Sequence, residues 1–261
     1  MIKLVAVDLD DTLLNNDIKI SYENKKAILE CKKRGVHFTF ATGRMFRAAV
    51  NFAKEVDLDL PLITYQGALI KTVDEKEIQH HVIEKNIAAD VIEFLRNYKL
   101  QLNVYMNDHL YVEEMNEFGN NYVNLSRIQH KVTNFSQGLL ADPTKILLAG
   151  EPSTLDIIKK EATQIYGNKL TITKSKDYFL EFGNENAKKS IALKALAESL
   201  GIKREEILAI GDGMNDLDML EYAGTGVAME NAAEEAKEVE DYITDTNDNH
   251  GVAKAINKFV F

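Results

Sequence analysis

The sequence predicts an α/β fold, and three observations carry that expectation. Apolar runs of strand length alternate with amphipathic runs of helix length from the first residues. The same alternation returns at the other end of the chain. Between about residues 82 and 184 the texture changes to paired strands. Together they predict a Rossmann-like parallel-sheet core in two segments, 1–81 and 185–261, with an inserted α+β domain over 82–184.

In order, "IKLVAVDL" reads as a buried strand and "YENKKAILECKKRG" as a helix with Gly35 as its cap. "VHFTFATG" is a second strand, "MFRAAVNFAKEV" a helix and "LPLITYQGALI" a further strand region. At the far end, "KSIALKALAESLGI" is a helix ending at Gly201, followed by strand "ILAIGD", helix "MNDLDMLEYAG" and strand "TGVAM". In the middle, helix "NIAADVIEFLRNYK" precedes strands "QLNVYM" and "LYVEE", joined around Asn107-Asp108. A less regular stretch follows. Then come strand "KILLAG", helix "TLDIIKKEATQIYG", and strands "LTITK" and "YFLEF" joined by Ser175-Lys176-Asp177. The helix-strand-strand unit at both ends of this section is a weak internal repeat. With three prolines in the chain and no Gly/Ser-rich stretch, short hinged connections are expected.

Composition narrows the functional classes. With 261 residues, 45% apolar and 28% charged, the chain can bury a substantial core. A formal charge of −10 without a Lys/Arg cluster argues against nucleic-acid binding. Cys31 is the only cysteine, which fits a reducing compartment and a small buried helix residue. The start lacks the features of a signal peptide, and no segment approaches the length of a membrane helix, so a cytoplasmic, non-membrane protein is expected. His80 and His81 are adjacent and the other histidines scattered, without zinc-ligand spacing.

Ligands of open parallel sheets bind outside the carboxyl ends of the strands, and three polar motifs fall there. In "VAVDLDDTLL", Asp8 and Asp10 sit two apart in extended chain, so both can face one site while Leu9 faces away. Such carboxylates could bind a hard cation such as Mg2+, and one could attack an electrophile while its neighbour moves a proton. A solvated turn is the plain alternative. In "FATGR", the Thr42 hydroxyl and the amides of a helix start at Gly43 could hold phosphate, with Arg44 adding charge; a helix N-cap explains the same residues. In "AIGDGMNDLDML", Gly211 permits a sharp turn and Asp212 and Asp216 lie four apart at a helix start, with Asn215 offering an amide.

Taken together, "DLDDT", "ATGR", a lysine opening a late helix and "GDGMND" resemble the four-motif signature of haloacid-dehalogenase-superfamily phosphatases. The inserted domain, "AGTGVAMENA" and "DNHGVAKAI" resemble the Cof-type subfamily, whose cap is the α/β type IIB. The resemblance implies that Asp8 is the nucleophile, with the Leu9 backbone touching phosphate, and that Asp10 is the acid/base. It implies Mg2+ held by Asp8, the Asp10 backbone carbonyl and the Asp212 carboxylate, with Asp216 in support. Thr42, Gly43, Lys189 and Asn215 would grip the phosphate. Lys189 rather than Lys188 is chosen because it directly precedes "SIALKAL". Asp11 stands where many relatives have glycine and is read as a turn or supporting carboxylate. Gln66-Gly67 stands where relatives often show Asn-Gly, and Arg44, Gln66 and Gly67 are candidate substrate contacts.

The implied activity is Mg2+-dependent hydrolysis of a small phosphorylated metabolite, a sugar phosphate first, with pyridoxal phosphate or a nucleotide monophosphate behind. The inserted domain would act as a lid selecting the leaving group. A phosphomutase or a non-catalytic phosphometabolite sensor on the same fold are the alternatives. No P-loop occurs, and "GTGVAM" supplies only two glycines of a dinucleotide motif, with Met229 at the third. Tyr105 and Tyr111 could line a substrate pocket or simply pack on the inserted sheet.

Overall fold

The computed structural model describes residues 1–126, 128–238 and 241–261. Contacts divide the chain into two compact units, Met1–Gln79 with Lys188–Phe261, and His80–Ala187. Along the chain the elements are β1 Leu4–Val7, α1 Tyr22–Lys33, β2 His37–Phe40, α2 Phe46–Glu55, β3 Leu62–Thr64, β4 Leu69–Lys71 and β5 Glu77–His80. The second unit contributes α3 Lys85–Arg96, β6 Gln101–Met106, β7 His109–Val112, α4 Glu117–Ser126, β8 His130–Val132, β9 Lys145–Ala149, α5 Pro152–Tyr166, β10 Leu170–Lys176 and β11 Phe179–Asn184. The first unit resumes with α6 Lys189–Ser199, β12 Ile207–Gly211, α7 Leu217–Tyr222, β13 Thr225–Ala228, α8 Glu234–Lys237, β14 Tyr242–Ile243 and α9 Gly251–Phe259.

The first unit is built on a parallel sheet in the order β14-β13-β12-β1-β2. All four residues of β1 are buried because both faces of the strand are covered, so its sequence is a continuous apolar run rather than an alternation. Leu4 and Ala6 pack with Ile207 and Ala209 of β12 against Ala192, Leu193 and Leu196 of α6. Ser21 caps α1, its hydroxyl accepting from the Asn24 amide at 3.2 Å, and Ala27, Ile28 and Cys31 form the helix's buried stripe. Burial pushes the Cys31 thiol up to about 12, which keeps it unreactive. A short three-stranded sheet, β3-β4-β5, follows α2, with β3 and β4 antiparallel.

The second unit carries a six-stranded sheet, β10-β11-β9-β6-β7-β8, antiparallel except where β8 joins β7. One face is its core: Val104, Ile146, Leu148, Leu180 and Phe182 meet Val91, Ile92 and Leu95 of α3 and Leu155, Ile158 and Ala162 of α5. Asn107 and Asp108 both have φ near +50°, the mirror-image turn that matches strand twist. Tyr105 and Tyr111 are both buried. A charged pair is also buried here: Lys145 Nζ lies 3.2 Å from Glu181 Oε1, which also accepts from Ser175 Oγ at 2.6 Å.

Two expectations need correction. The stretch read as irregular contains α4 and β8; its helix is rich in asparagine and glycine, which disguise it. The second hairpin turns at Asp177-Tyr178, beyond Ser175-Lys176, because a register shift between Lys174 and Lys176 lets β10 run on. Gly226 of "GTGVAM" lies inside β13, so that motif forms no phosphate loop. Among the described residues, no helix is long and apolar enough to cross a membrane.

Candidate active site

The carboxyl ends of β1, β2 and β12 bring the polar motifs of the first unit together. Asp8 directly follows β1, whose neighbours are β12 and β2, and its backbone N–H still donates to the Ile210 carbonyl at 3.0 Å. The residue is 5% exposed. The cation facing it is Lys189, the first residue of α6, whose Nζ lies 2.6 Å from Asp8 Oδ1 and 2.5 Å from Asp216 Oδ1. Lys188 is the residue that caps this helix, so the chain direction turns Lys189 alone into the site.

Asp216 is 1% exposed and fully occupied. Its second oxygen accepts from the backbone amides of Asp212 (3.0 Å) and Gly213 (2.9 Å), folding the loop after β12 back on itself. That fold explains Gly211 by close approach: a Cβ there would lie 2.6 Å from Asp216 Cβ and Cγ. It also replaces the expected helix face with a turn, since α7 begins only at Leu217. Asp212 is half-buried, and its Oδ1 accepts from Thr12 Oγ1 at 2.5 Å. Asp8, Asp212 and Asp216 thus place carboxylate oxygens within 4.8 Å of one another.

The electrostatics follow from this crowding. Burial pushes Asp8 from 3.8 up to about 7; Lys189 opposes the rise, while Asp216 and Asp10 add to it. Burial likewise disfavours the charge on Lys189, but Asp216 and Asp8 outweigh it and hold the ammonium above its ordinary range. Lys189 thus pairs with two carboxylates of a cluster of three, and an ionised Asp8 calls for further positive charge. The donors are all carboxylate oxygens, without histidine or cysteine, which suits a hard divalent cation.

Asp10 is elsewhere engaged. Arg44 donates from Nε to Asp10 Oδ2 (2.8 Å) and from Nη2 to Oδ1 (2.6 Å), a two-pronged pair. Asp8 (φ −69°, ψ 160°) and Asp10 (φ −74°, ψ 128°) are both in extended conformation, and the chain turns only after them, at Asp11 with φ 59°. The Arg44 guanidinium also lies 5.4 Å from the centre of the Phe52 ring. Thr42 is buried, and its hydroxyl accepts from the Arg44 amide at 3.1 Å. Neither Thr42 nor Gly43 belongs to a helix start, because α2 begins at Phe46; the expected helix-terminus phosphate cradle is not formed by α2. Asn215 Nδ2 donates to Gln66 Oε1 at 3.1 Å, joining the loop after β12 to the loop after β3.

Several supporting residues escaped the sequence reading. Asn231 donates to the Asp11 carbonyl (2.7 Å), Asn24 to Leu13 (3.3 Å) and Asn247 to Leu14 (3.0 Å), so three side-chain amides pin three carbonyls of the loop after Asp8. Asn231 lies within "AGTGVAMENA" and Asn247 directly precedes "DNHGVAKAI", which gives both late motifs a mechanical role. Asn24 announces itself as the polar member of an otherwise apolar stripe in α1.

The whole chain can be compared with known proteins. Residues 5–256 match the family model for haloacid dehalogenase-like hydrolases. Phosphatase YwpJ of Bacillus subtilis is 31% identical, over 96% of this chain and 97% of its own length. The 5-amino-6-(5-phospho-D-ribitylamino)uracil phosphatase YcsE of the same organism is 32% identical, over 99% and 96%. A crystal structure of a haloacid dehalogenase-like hydrolase from Bacteroides thetaiotaomicron superposes with a TM-score of 0.90 at 30% identity, covering 99% of both chains.

Proposed function

The chain belongs to the haloacid dehalogenase-like hydrolases of the Cof type, as a phosphatase of phosphorylated small molecules, and from that premise we propose that it is a Mg2+-dependent phosphomonoesterase that works through an aspartyl-phosphate on Asp8. The observation that carries the reading is Asp8 itself: a buried carboxylate at a strand end, 2.6 Å from a buried lysine and grouped with two further carboxylates. Burying such a group is costly, and a site that concentrates it beside a fixed cation is suited to holding charge on a transferring group.

In the first half-reaction an Asp8 oxygen attacks phosphorus, the bond from phosphorus to the substrate alcohol breaks, and Asp10 gives a proton to the departing oxygen. In the second, Asp10 takes a proton from water as its oxygen attacks the same phosphorus. The Asp8–phosphorus bond breaks, inorganic phosphate leaves and both aspartates are restored. Donors to the phosphoryl oxygens are Lys189, the Thr42 hydroxyl, the Asn215 amide and the backbone amides of Leu9 and Gly43. Asp8, Asp212 and the Asp10 carbonyl would hold Mg2+, with Asp216 fixing the loop that carries Asp212. When bound, the ion neutralises charge on the transferring group. Asp10 accepts two N–H groups from Arg44, so that pair has to open before Asp10 can donate.

For the substrate, we propose a sugar phosphate or related polyol phosphate. The relative named for 5-amino-6-(5-phospho-D-ribitylamino)uracil supports a phosphate carried on a polyol chain. A panel of phosphorylated sugars, polyols, nucleotides and pyridoxal phosphate, assayed for free phosphate and for isomer formation, tests the reading. Hydrolysis should require Mg2+ and vanish in Asp8→Asn. Full activity under chelation and in that variant would refute it.

A further inference from the structure

The loop after β3 holds three successive residues in the left-handed region: Tyr65, Gln66 and Gly67 have φ of 52°, 58° and 96°. That conformation disfavours any residue with a side chain, and two in succession persist only when surrounding contacts impose them. Those contacts are present. Tyr65 N–H donates to the Arg44 carbonyl (2.9 Å) and Gln66 N–H to the Thr42 carbonyl (3.0 Å). Gly67 backs so closely onto Lys188 that a Cβ would lie 2.2 Å from its carbonyl oxygen.

What this loop delivers is one amide. Gln66 Oε1 accepts from Asn215, which leaves its Nε2 as a donor. The amide lies over Gly43, where a Cβ would come within 2.4 Å of Nε2. Nε2 is buried and has no hydrogen-bond partner among the described residues. A buried N–H group without an acceptor is costly, so its retention here calls for a ligand that completes it. The groups around it, Thr42, Gly43 and Asn215, are those proposed above to hold phosphate.

We infer that Gln66 Nε2 is a binding group for a phosphoryl oxygen, held ready by the strained loop and oriented by Asn215; the inference rests on the phosphatase reading above. It adds a further neutral donor beside the Thr42 hydroxyl, the Asn215 amide and the backbone amides proposed above. It also gives Gly43 a second purpose, the space that the Gln66 amide occupies.

The test is calorimetric titration of inorganic phosphate into the magnesium-loaded protein, with p-nitrophenyl phosphate kinetics and melting temperature alongside. Gln66→Met keeps the length and removes the donor. Losing one hydrogen bond to a charged group should weaken phosphate binding about ten-fold, with the melting temperature unchanged. Gln66→Glu still accepts from Asn215 but turns a negative oxygen toward the anion, so it should bind phosphate more weakly than the Met variant. A purely structural Gln66 would leave phosphate affinity at the wild-type value in the neutral variant, which overturns the inference. If Gln66→Met does not fold, Gln66→Ala decides by the same criterion, since it removes the donor without adding charge. A wild-type protein that neither binds phosphate nor hydrolyses any phosphomonoester overturns the phosphatase reading and the inference with it. An active wild type with unaltered affinity in the neutral variant overturns the inference alone.

Discussion

Neutralising Asp8 should stabilise the metal-free protein, by an amount that grows with pH. Burial is the main reason: it drives the Asp8 carboxyl from 3.8 up to about 7 despite Lys189 beside it, with Asp216 and Asp10 pushing the same way. A carboxyl with a raised folded pKa holds its proton more tightly in the fold than in the unfolded chain. Its contribution is therefore fully present below the unfolded value of 3.8 and is lost as pH rises through about 7. The shift spans about three units, and at about 1.4 kcal/mol per unit the cost of ionising Asp8 is on the order of 4 kcal/mol. Lys189 is already included in that figure. Asp8→Asn removes the ionisation, leaves an amide oxygen for Lys189, and leaves Lys189 paired with Asp216 at 2.5 Å. Urea unfolding of both proteins under chelation, from about pH 4 to about pH 8, reads the difference directly. The two should be similar at the acid end, with the Asn variant ahead by on the order of 4 kcal/mol at the alkaline end. Added Mg2+ should then raise the wild type more than the variant, since ligand binding stabilises only the state that binds. A difference that does not change with pH, or a wild type more stable than Asp8→Asn at the alkaline end under chelation, would refute the argument.

Other expectations follow from single contacts. Lys189→Met leaves Asp8 and Asp216 buried without their shared cation; kcat on p-nitrophenyl phosphate should fall about 10²–10³-fold, and an unchanged kcat would remove Lys189 from the chemistry. Gly67→Ala meets both φ 96° and a Lys188 carbonyl 2.2 Å from the new methyl, so chemical denaturation should show a loss of about 2–3 kcal/mol; wild-type stability would contradict the geometry. In the second unit, Lys145→Met strands Glu181 and should cost about 3–5 kcal/mol. The double variant Lys145→Met with Glu181→Leu should recover most of that loss, and a double-variant loss equal to the sum of the two single losses would show the pair uncoupled.

How much of this was legible in the sequence follows from burial. β1, β2 and β12 show as apolar runs because helices or sheet cover both faces, and Gly35 and Gly201 mark their helix ends with φ of 71° and 67°. α4 was not legible: its asparagines and glycine look like a loop, and it is the tertiary setting that makes them helical. At the site, residue types were readable and partnerships were not. Asp8, Lys189 and Asp216 come from segments 181 and 27 residues apart and meet because β1 lies beside β12. The Arg44–Asp10 pair joins residues 34 apart in sequence, and the Asp216 loop depends on a close approach at Gly211; neither leaves a periodic signal in the chain.

The central claim is that phosphorus passes through Asp8. Acid quenching of the magnesium-loaded protein during turnover, followed by peptide mapping by mass spectrometry, tests it most directly. One added phosphoryl group is expected on the peptide containing Asp8, labile to hydroxylamine and absent from Asp8→Asn. Steady phosphate release without any such adduct, together with an active Asp8→Asn protein, would contradict it.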